Sequence, residues 1–259
     1  MHLKTLAVSL LAVPLLASPL STESKTSIAK RTIPSIEEFD ETDKIRIKNG
    51  FSDAMKIAKS VLTSKASIVD PILAKYFDKE DKTKVLEVYE KITGGSLAQY
   101  SGNTLLSQIT VVDEGYPGWG HMSCGKDDDM GEIHLFDTSN PILVVCDYAL
   151  DRGNIDKGYD DIPAVTCDNI GDTVGSKMDT LGSTILHEYT HWKDLVVPPL
   201  DASTQDYAYG AYASQHLDNK KKIMNAENYN WFATEVFWTA KCDRDFKAAT
   251  KKSSETSEC

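Results

Sequence analysis

The chain has 259 residues, of which 41% are hydrophobic and 26% charged, and its formal net charge at pH 7 is −11. A chain of this length and composition can bury one sizeable core, so we expect one soluble globular domain. Phosphate groups are bound by clusters of Lys and Arg. The acidic balance therefore argues against nucleic acids and anionic membranes as partners.

The N-terminus predicts a secretory leader. His2 and Lys4 precede an apolar run over residues 6–17. Such a run is too short to cross a membrane and is typical of a signal peptide over residues 1–17, with cleavage expected between about residues 17 and 21. A buried helix is the weaker reading of the same run. We therefore expect a secreted, extracellular protein without a membrane anchor.

A dibasic pair, Lys30-Arg31, follows the leader inside a polar segment. It is typical of the end of a pro-segment, here over residues 18–31, although two solvated surface charges would explain the pair nearly as well. The expected domain organisation is then one domain over residues 32–246 and a polar tail over residues 247–259.

The first third of the domain has a helical pattern. Ser35, followed by Glu37 and Glu38, is typical of a helix start, with a capping hydroxyl and acids in the first turn. Apolar residues spaced three and four apart then indicate a long helix around residues 51–62 and two shorter ones. The shorter helices are expected over residues 72–77 and 85–92, with Asp70-Pro71 as the interruption before them and Gly94-Gly95 as the end.

The middle of the chain changes to a strand pattern. Three runs rich in β-branched or alternating apolar residues lie at residues 107–112, 131–136 and 141–146. Runs of this kind predict a small sheet. Further helices are expected from Met178 onward and, later, over residues 209–217 and 226–241. The predicted fold class is α+β, mainly helical with a small sheet.

One motif stands out in the second half, His187-Glu188-x-x-His191. On an α-helix, residues four apart share a face, so both imidazoles can reach one metal ion. Glu188 then lies beside the open coordination position, where it can accept a proton from the attacking water. A motif this short also arises by chance, so a third ligand is required.

The residues downstream leave the third ligand open. The extended motif that ends in a third histidine is absent, because Asp194 and Val197 occupy its glycine and histidine positions. A thermolysin-like arrangement would use a glutamate on a later helix, either Glu227 or Glu235. The remaining candidate is Asp206, within Thr-Gln-Asp-Tyr-Ala-Tyr-Gly at residues 204–210.

At residues 204–210 the sequence resembles the aspzincins, the deuterolysin-like and peptidyl-Lys metallopeptidases best known from fungi, whose H-E-x-x-H motif is followed by T-x-D-x-x-Y-G. The family's N-A-D-x-Y motif is similar to Asn-Ala-Glu-Asn-Tyr at residues 225–229, with Glu227 in place of the aspartate. The connection from His191 to Asp206 is longer than the family pattern, and Ser203 stands where glycine is usual.

The resemblance implies a zincin-like fold with H-E-x-x-H on the active-site helix, and a zinc endopeptidase acting on proteins or peptides. It implies one catalytic zinc ion held by His187, His191 and Asp206. Glu188 would be the general base, and Tyr209 would donate a hydrogen bond to the developing oxyanion. Glu227 would contact a basic substrate side chain.

Five cysteines indicate an oxidising compartment, and their odd number leaves one unpaired within the chain. The family pattern implies a Cys124–Cys146 disulfide. Proximity in sequence suggests Cys242–Cys259, which leaves Cys167 unpaired.

Two other functions remain open at the level of the sequence. One is a secreted zinc-binding or effector protein without significant turnover, but such a protein would need neither Glu188 nor Tyr209. The other is a thermolysin-like peptidase with Glu227 as the third ligand. For these functions, as for the zinc endopeptidase, we expect a monomer.

Overall fold

The computed structural model describes residues 33–254 except 38, 96–101, 115, 117–123, 125–129, 136, 138 and 161. The predicted signal peptide, the Lys30-Arg31 pair and Cys259 lie outside the described residues. Within them, helices surround one central helix and a small sheet covers one side. The α+β class predicted from the sequence is confirmed.

Three helices form the N-terminal part: α1 (Glu41–Thr63), α2 (Ala66–Tyr76) and α3 (Lys82–Thr93). Gly94 ends α3 with a left-handed conformation, φ 82°, as the glycine pair predicts. The interruption predicted at Asp70-Pro71 is wrong, because Pro71 lies inside α2. A helical proline costs about 3 kcal/mol, and the buried apolar face of α2 offsets that cost.

The helix start predicted at Ser35 is also wrong. Ser35 and Ile36 instead form strand β1 (Ser35–Ile36), and α1 begins after Asp40, whose side chain accepts a 2.8 Å hydrogen bond from the backbone N–H of Asp43. A serine followed by acids suits a helix cap, but β1 pairs with a distant strand that no local pattern reveals.

The three predicted strand runs are confirmed as β2 (Thr110–Asp113), β3 (Gly131–His134) and β4 (Ile142–Val145). The order of the strands described is β1-β2-β4-β3. β2 runs parallel to β1 and to β4, and β3 is antiparallel to β4 at the sheet edge. Every residue of β4 is buried, which accounts for its uninterrupted apolar run.

The H-E-x-x-H motif lies on the central helix, α5 (Leu181–His191), which is buried from Leu181 to Thr190. Thr180 and Ser183 form a capping box at its start. α5 crosses α1 closely, because a Cβ atom at Gly182 would lie 2.6 Å from Cβ of Asp53. This close crossing, together with packing against α9 and β3, fixes α5 beneath the sheet edge.

The remaining helices connect and cover this centre. They are α4 (Asp147–Leu150), α6 (Lys193–Val196), α7 (Ala211–Gln215), α8 (Asn219–Lys222), α9 (Ala226–Cys242) and α10 (Lys251–Ser254). The two helices predicted downstream of α5 correspond to α7 and α9. No helix in the described part of the chain is long and apolar enough to cross a membrane.

Two disulfides are present among the described cysteines. Cys124–Cys146 is confirmed, with its Cα atoms 5.9 Å apart. The Cys242–Cys259 prediction is wrong, because Cys242 pairs with Cys167 at a Cα separation of 5.6 Å. The segment after α9 runs back along the Cys167 region, where Lys247 forms a bridge with Thr173, and this long-range contact brings the two cysteines together.

Candidate metal centre

Three side-chain atoms converge at the C-terminal end of α5. Nε2 of His187 lies 3.2 Å from Nε2 of His191 and 3.1 Å from Oδ1 of Asp206. Nε2 of His191 lies 3.4 Å from the same Asp206 oxygen. Four-residue helical spacing brings the two histidines together, and the loop after α6 brings Asp206 to them.

This triangle has the dimensions that a tetrahedral metal requires. Zinc–nitrogen and zinc–oxygen distances of about 2.0–2.1 Å place tetrahedral ligands about 3.3–3.4 Å apart. The three separations between His187, His191 and Asp206 fit this edge length. Two nitrogens and one carboxylate oxygen are also ligands that zinc accepts, so the residues present fit the ion.

Hydrogen bonds on the far side of each ring orient the histidines. Nδ1 of His187 donates to Oε2 of Glu227 at 2.8 Å, and Nδ1 of His191 donates to the carbonyl of Thr204 at 3.1 Å. With the proton on Nδ1, the lone pair of a neutral imidazole lies on Nε2, which faces the centre. The hydrogen bonds therefore favour the tautomer that binds a metal.

Nearby carboxylates affect proton binding at the ring of His187. Burial lowers its pKa, but hydrogen bonds to Asp206 and Glu227 outweigh that effect and raise the pKa well above its ordinary value. Burial raises the pKa of Asp206, but hydrogen bonds from His187 and His191 outweigh it and hold the pKa well below the usual range. A metal ion must therefore displace protons from these rings as it binds.

Glu188 lies farther than Asp206 from the Nε2 atom of His187. Its Oε1 is 3.9 Å from Nε2 of His187, and its Oε2 accepts a 3.0 Å hydrogen bond from the backbone N–H of Ile133 on β3. Glu188 also groups with His187 and His191 as a possible ligand set. Asp206 is nearer to both rings, at 3.1 Å and 3.4 Å, and Glu188 lies beside them. Burial raises the pKa of Glu188, against the lowering effect of the two histidines.

Tyr209 covers one side of the centre. Its ring is parallel to that of His187, with centroids 6.2 Å apart and an interplanar angle of 16°, and the residue is 67% exposed. Burial and the carboxylate of Asp206, to which its hydroxyl donates, raise the pKa of Tyr209. The hydroxyl therefore stays protonated at neutral pH and can donate a hydrogen bond.

The segment before α9 holds the loop that carries Asp206. The side-chain oxygen of Asn225 accepts hydrogen bonds from the backbone N–H groups of Tyr207 at 2.8 Å and Ala208 at 3.2 Å. A parallel bridge joins Gln205 to Asn225. Asp206 is not a helix cap, because α7 begins after Gly210. This contact of Asn225 was not predicted from the sequence, although its position in the N-A-E-N-Y motif was a signal.

Residues 163–234 match the aspzincin family model, which is described as lysine-specific metallo-endopeptidase. This segment contains α5, the Asp206 loop and the first half of α9. The match covers less than a third of the chain, and over this segment the chain is similar to the aspzincins.

Two similar proteins add to the comparison. A neutral protease 2 homolog from Neosartorya fischeri is 35% identical over 80 residues, which are 31% of this chain and 19% of the relative. The zinc peptidase from Grifola frondosa has a TM-score of 0.48 and 17% identity, over 76% of this chain and 97% of that one. The match to the curated relative thus spans about a fifth of its length.

The structure places Glu227 behind the ring of His187, on the side away from the convergence point. It lies on the Nδ1 side of His187, whereas the convergence point lies on the Nε2 side. The residue is 8% exposed, and its carboxylate accepts hydrogen bonds from protein groups. The carboxylate of Glu227 therefore contacts the Nδ1 side of His187 and other protein donors.

Proposed function

We propose that this protein is a secreted, monomeric zinc endopeptidase that hydrolyses peptide bonds in proteins or peptides. The observation that carries the proposal is the convergence of His187, His191 and Asp206 within 3.1–3.4 Å, with the Glu188 carboxylate beside them. His187, His191 and Asp206 would hold one zinc ion. Bound there, zinc would supply Lewis-acid chemistry, polarising the scissile carbonyl and making water more acidic.

Glu188 is the general base of the proposed reaction. The N–H of Ile133 restrains one carboxylate oxygen, so the other remains directed toward the His187 side of the centre. It accepts a proton from the attacking water while the water oxygen bonds to the carbonyl carbon. The same proton then passes to the amine nitrogen as the C–N bond breaks, which returns Glu188 to its starting state.

Tyr209 supports the charge that develops on the carbonyl oxygen. Its hydroxyl already lies beside the ligand Asp206. A small rotation of this exposed side chain would bring the hydroxyl to the oxyanion, where a donor is most valuable in the transition state.

Three variants and the wild-type protein test the proposal. Zinc content and casein cleavage are measured for wild type, Glu188→Ala, Asp206→Ala and the control Asp201→Ala, an exposed carboxylate on the same connection. We expect Glu188→Ala to keep zinc and lose cleavage, Asp206→Ala to lose both, and the control to keep both. Cleavage by Glu188→Ala would reject the mechanism. Zinc bound by wild type without cleavage would favour the zinc-binding, non-enzymatic alternative.

Secretion is proposed on two grounds. The apolar N-terminal run is typical of a signal peptide, and two disulfides suit an oxidising compartment. Expression in a eukaryotic secretory host should place the protein in the medium, with an N-terminus after residue 17 or, if the dibasic pair is cleaved, at Thr32. Retention of an uncleaved chain inside the cell would contradict this.

A further inference from the structure

We propose that Glu227 is a positioning residue, which holds the ring of the ligand His187 and the loop of Tyr209 at the same time and does not read a basic substrate side chain. The inference rests on the proposed function, in that both partners of Glu227 belong to the proposed catalytic centre. It assigns Glu227 a role that neither the position in the motif nor the charge of the residue reveals.

All the hydrogen-bonding capacity of the Glu227 carboxylate is used inside the protein. Oε2 accepts from Nδ1 of His187 at 2.8 Å and from Nδ2 of Asn230 at 3.2 Å. Oε1 accepts from the N–H of Gly210 at 2.9 Å and from Nε1 of Trp231 at 2.7 Å. A carboxylate offers about four acceptor sites, so none remains for a substrate ammonium group.

Burial and neighbouring groups lead to the same conclusion. Glu227 is 8% exposed, and Trp231, which covers one of its oxygens, is 3% exposed. Asn230, the polar neighbour one turn along α9, is neutral and donates its amide to Glu227. A lysine side chain would have to break existing hydrogen bonds and enter a closed space to reach the carboxylate.

The two oxygens of Glu227 connect separate parts of the centre. Through Oε2, the carboxylate fixes the ring plane of His187 on α5. Through Oε1, it fixes the backbone of Gly210, which directly follows Tyr209 and has φ 78°, a conformation that favours glycine. One side chain from the first turn of α9 thus sets the distance between the metal ligand and the oxyanion donor.

Glu227→Gln tests this inference in the full-length protein. The amide has one acceptor oxygen and one NH₂ group in place of two acceptors, so donors on one side lose their partner. We expect zinc affinity, measured by competition with a chelator, to fall about 10- to 100-fold, as is typical when the hydrogen-bond partner of a ligating histidine is changed. We expect kcat to fall, while KM for a peptide substrate changes little.

Two further variants make the result interpretable. Glu227→Asp keeps the charge but shortens the side chain, so it should recover part of the zinc affinity and keeps the test open if Glu227→Gln fails to fold. Glu235→Gln is the matched control, because Glu235 is also buried on α9 but bonds to Lys75 and Tyr76. We expect the control to alter thermal stability and leave zinc affinity unchanged.

Peptides that differ only in Lys or Met after the cleaved bond complete the experiment. The ratio of their kcat/KM values should be the same in wild type and Glu227→Gln. A collapse of this ratio with unchanged zinc affinity would overturn the inference and make Glu227 a substrate-reading residue. If wild type binds zinc but cleaves nothing, the proposed function fails, and the loss of zinc affinity in Glu227→Gln still supports the positioning role.

Discussion

At the candidate metal centre, neighbouring carboxylates have different proposed roles because they contact different partners. Asp206 faces the Nε2 atoms of both histidines. One oxygen of Glu188 accepts a hydrogen bond from the N–H of Ile133, and the other lies near His187. The oxygens of Glu227 are surrounded by hydrogen-bond donors of the protein. Residue type alone does not distinguish these roles. The groups that each carboxylate contacts in the fold distinguish them.

A first prediction concerns Tyr209→Phe. Removing the hydroxyl deletes the proposed donor to the oxyanion and leaves the ring against His187 intact. We expect kcat to fall about 100- to 1,000-fold, the usual effect of losing one oxyanion donor, with zinc affinity nearly unchanged. Steady-state kinetics and chelator competition measure the two effects.

Tyr207→Phe is the matched control for Tyr209. Tyr207 is also exposed, but its ring lies under the ammonium group of Lys221, 5.1 Å from the ring centroid. Its hydroxyl has no assigned part in the reaction, so activity should remain near the wild-type level. Equal losses in both tyrosine variants would exclude a specific role for Tyr209.

At the residue scale, the features that follow from local geometry and motif spacing could be predicted from the sequence. Four-residue spacing already implies that His187 and His191 share a face, and the second motif nominated Asp206 and Tyr209. The partner of Glu227 could not be read from the chain, because it depends on how α9 approaches the Nδ1 side of α5. A motif gives a position in sequence and not the direction of a side chain.

Elements were predictable where their pattern is long and repeated. α1, α3 and α9 follow apolar periodicity, and the three longer strands follow β-rich runs. β1 has two residues and exists through pairing with β2, so no local pattern could reveal it. Pro71 was misleading because the packing of α2 overrides an intrinsic preference.

The second prediction concerns the contact between α1 and the segment that contains Ile155. Asp53 of α1 has a side chain that is 2% exposed, and it accepts hydrogen bonds from Nζ of Lys56 at 2.7 Å and the N–H of Ile155 at 2.8 Å. Burial raises its pKa despite these lowering contacts. The folded state thus binds a proton more tightly here than the unfolded chain does.

The sign of the pH effect follows from this raised pKa. The ordinary pKa of aspartate is about 4, so above that pH the unfolded chain has already lost this proton. The folded protein still holds the proton and loses it only at a higher pH. Asp53 therefore lowers the free energy of unfolding as the pH rises. Asp53→Asn cannot ionise, so its stability relative to wild type should improve as the pH rises above about 4. Urea unfolding at several pH values measures the difference, and a relative loss with rising pH would contradict it.

At the scale of the whole molecule, long-range links join the part that carries the candidate metal centre to the C-terminal segment. The Cys167–Cys242 disulfide spans 75 residues and ties the end of α9 to the segment before α5. Arg244 reinforces the same junction, donating to Asp172 at 3.0 Å and to the carbonyl of Gly171 at 2.8 Å. The nearest cysteine in sequence was the wrong partner because chain reversal after α9 decides proximity in space.

The last prediction compares the two disulfides. Cross-linking restricts the unfolded chain more when the closed loop is longer, with a stabilisation of about 3 kcal/mol for short loops and above 4 kcal/mol for loops near 100 residues. Cys167–Cys242 closes a loop of 75 residues, whereas Cys124–Cys146 closes one of 22. We therefore expect the Cys167→Ala/Cys242→Ala variant to lose more unfolding free energy than Cys124→Ala/Cys146→Ala.

Denaturant unfolding of the zinc-free proteins measures this order without the added stability of a bound metal. Peptide mapping without reduction should also recover Cys167 joined to Cys242. A fragment joining Cys242 to Cys259 would reject the assignment of the bond. An equal or larger loss for the short loop would mean instead that packing around Cys124, which contacts the buried Val112, Ile142 and Val144 cluster, outweighs chain entropy.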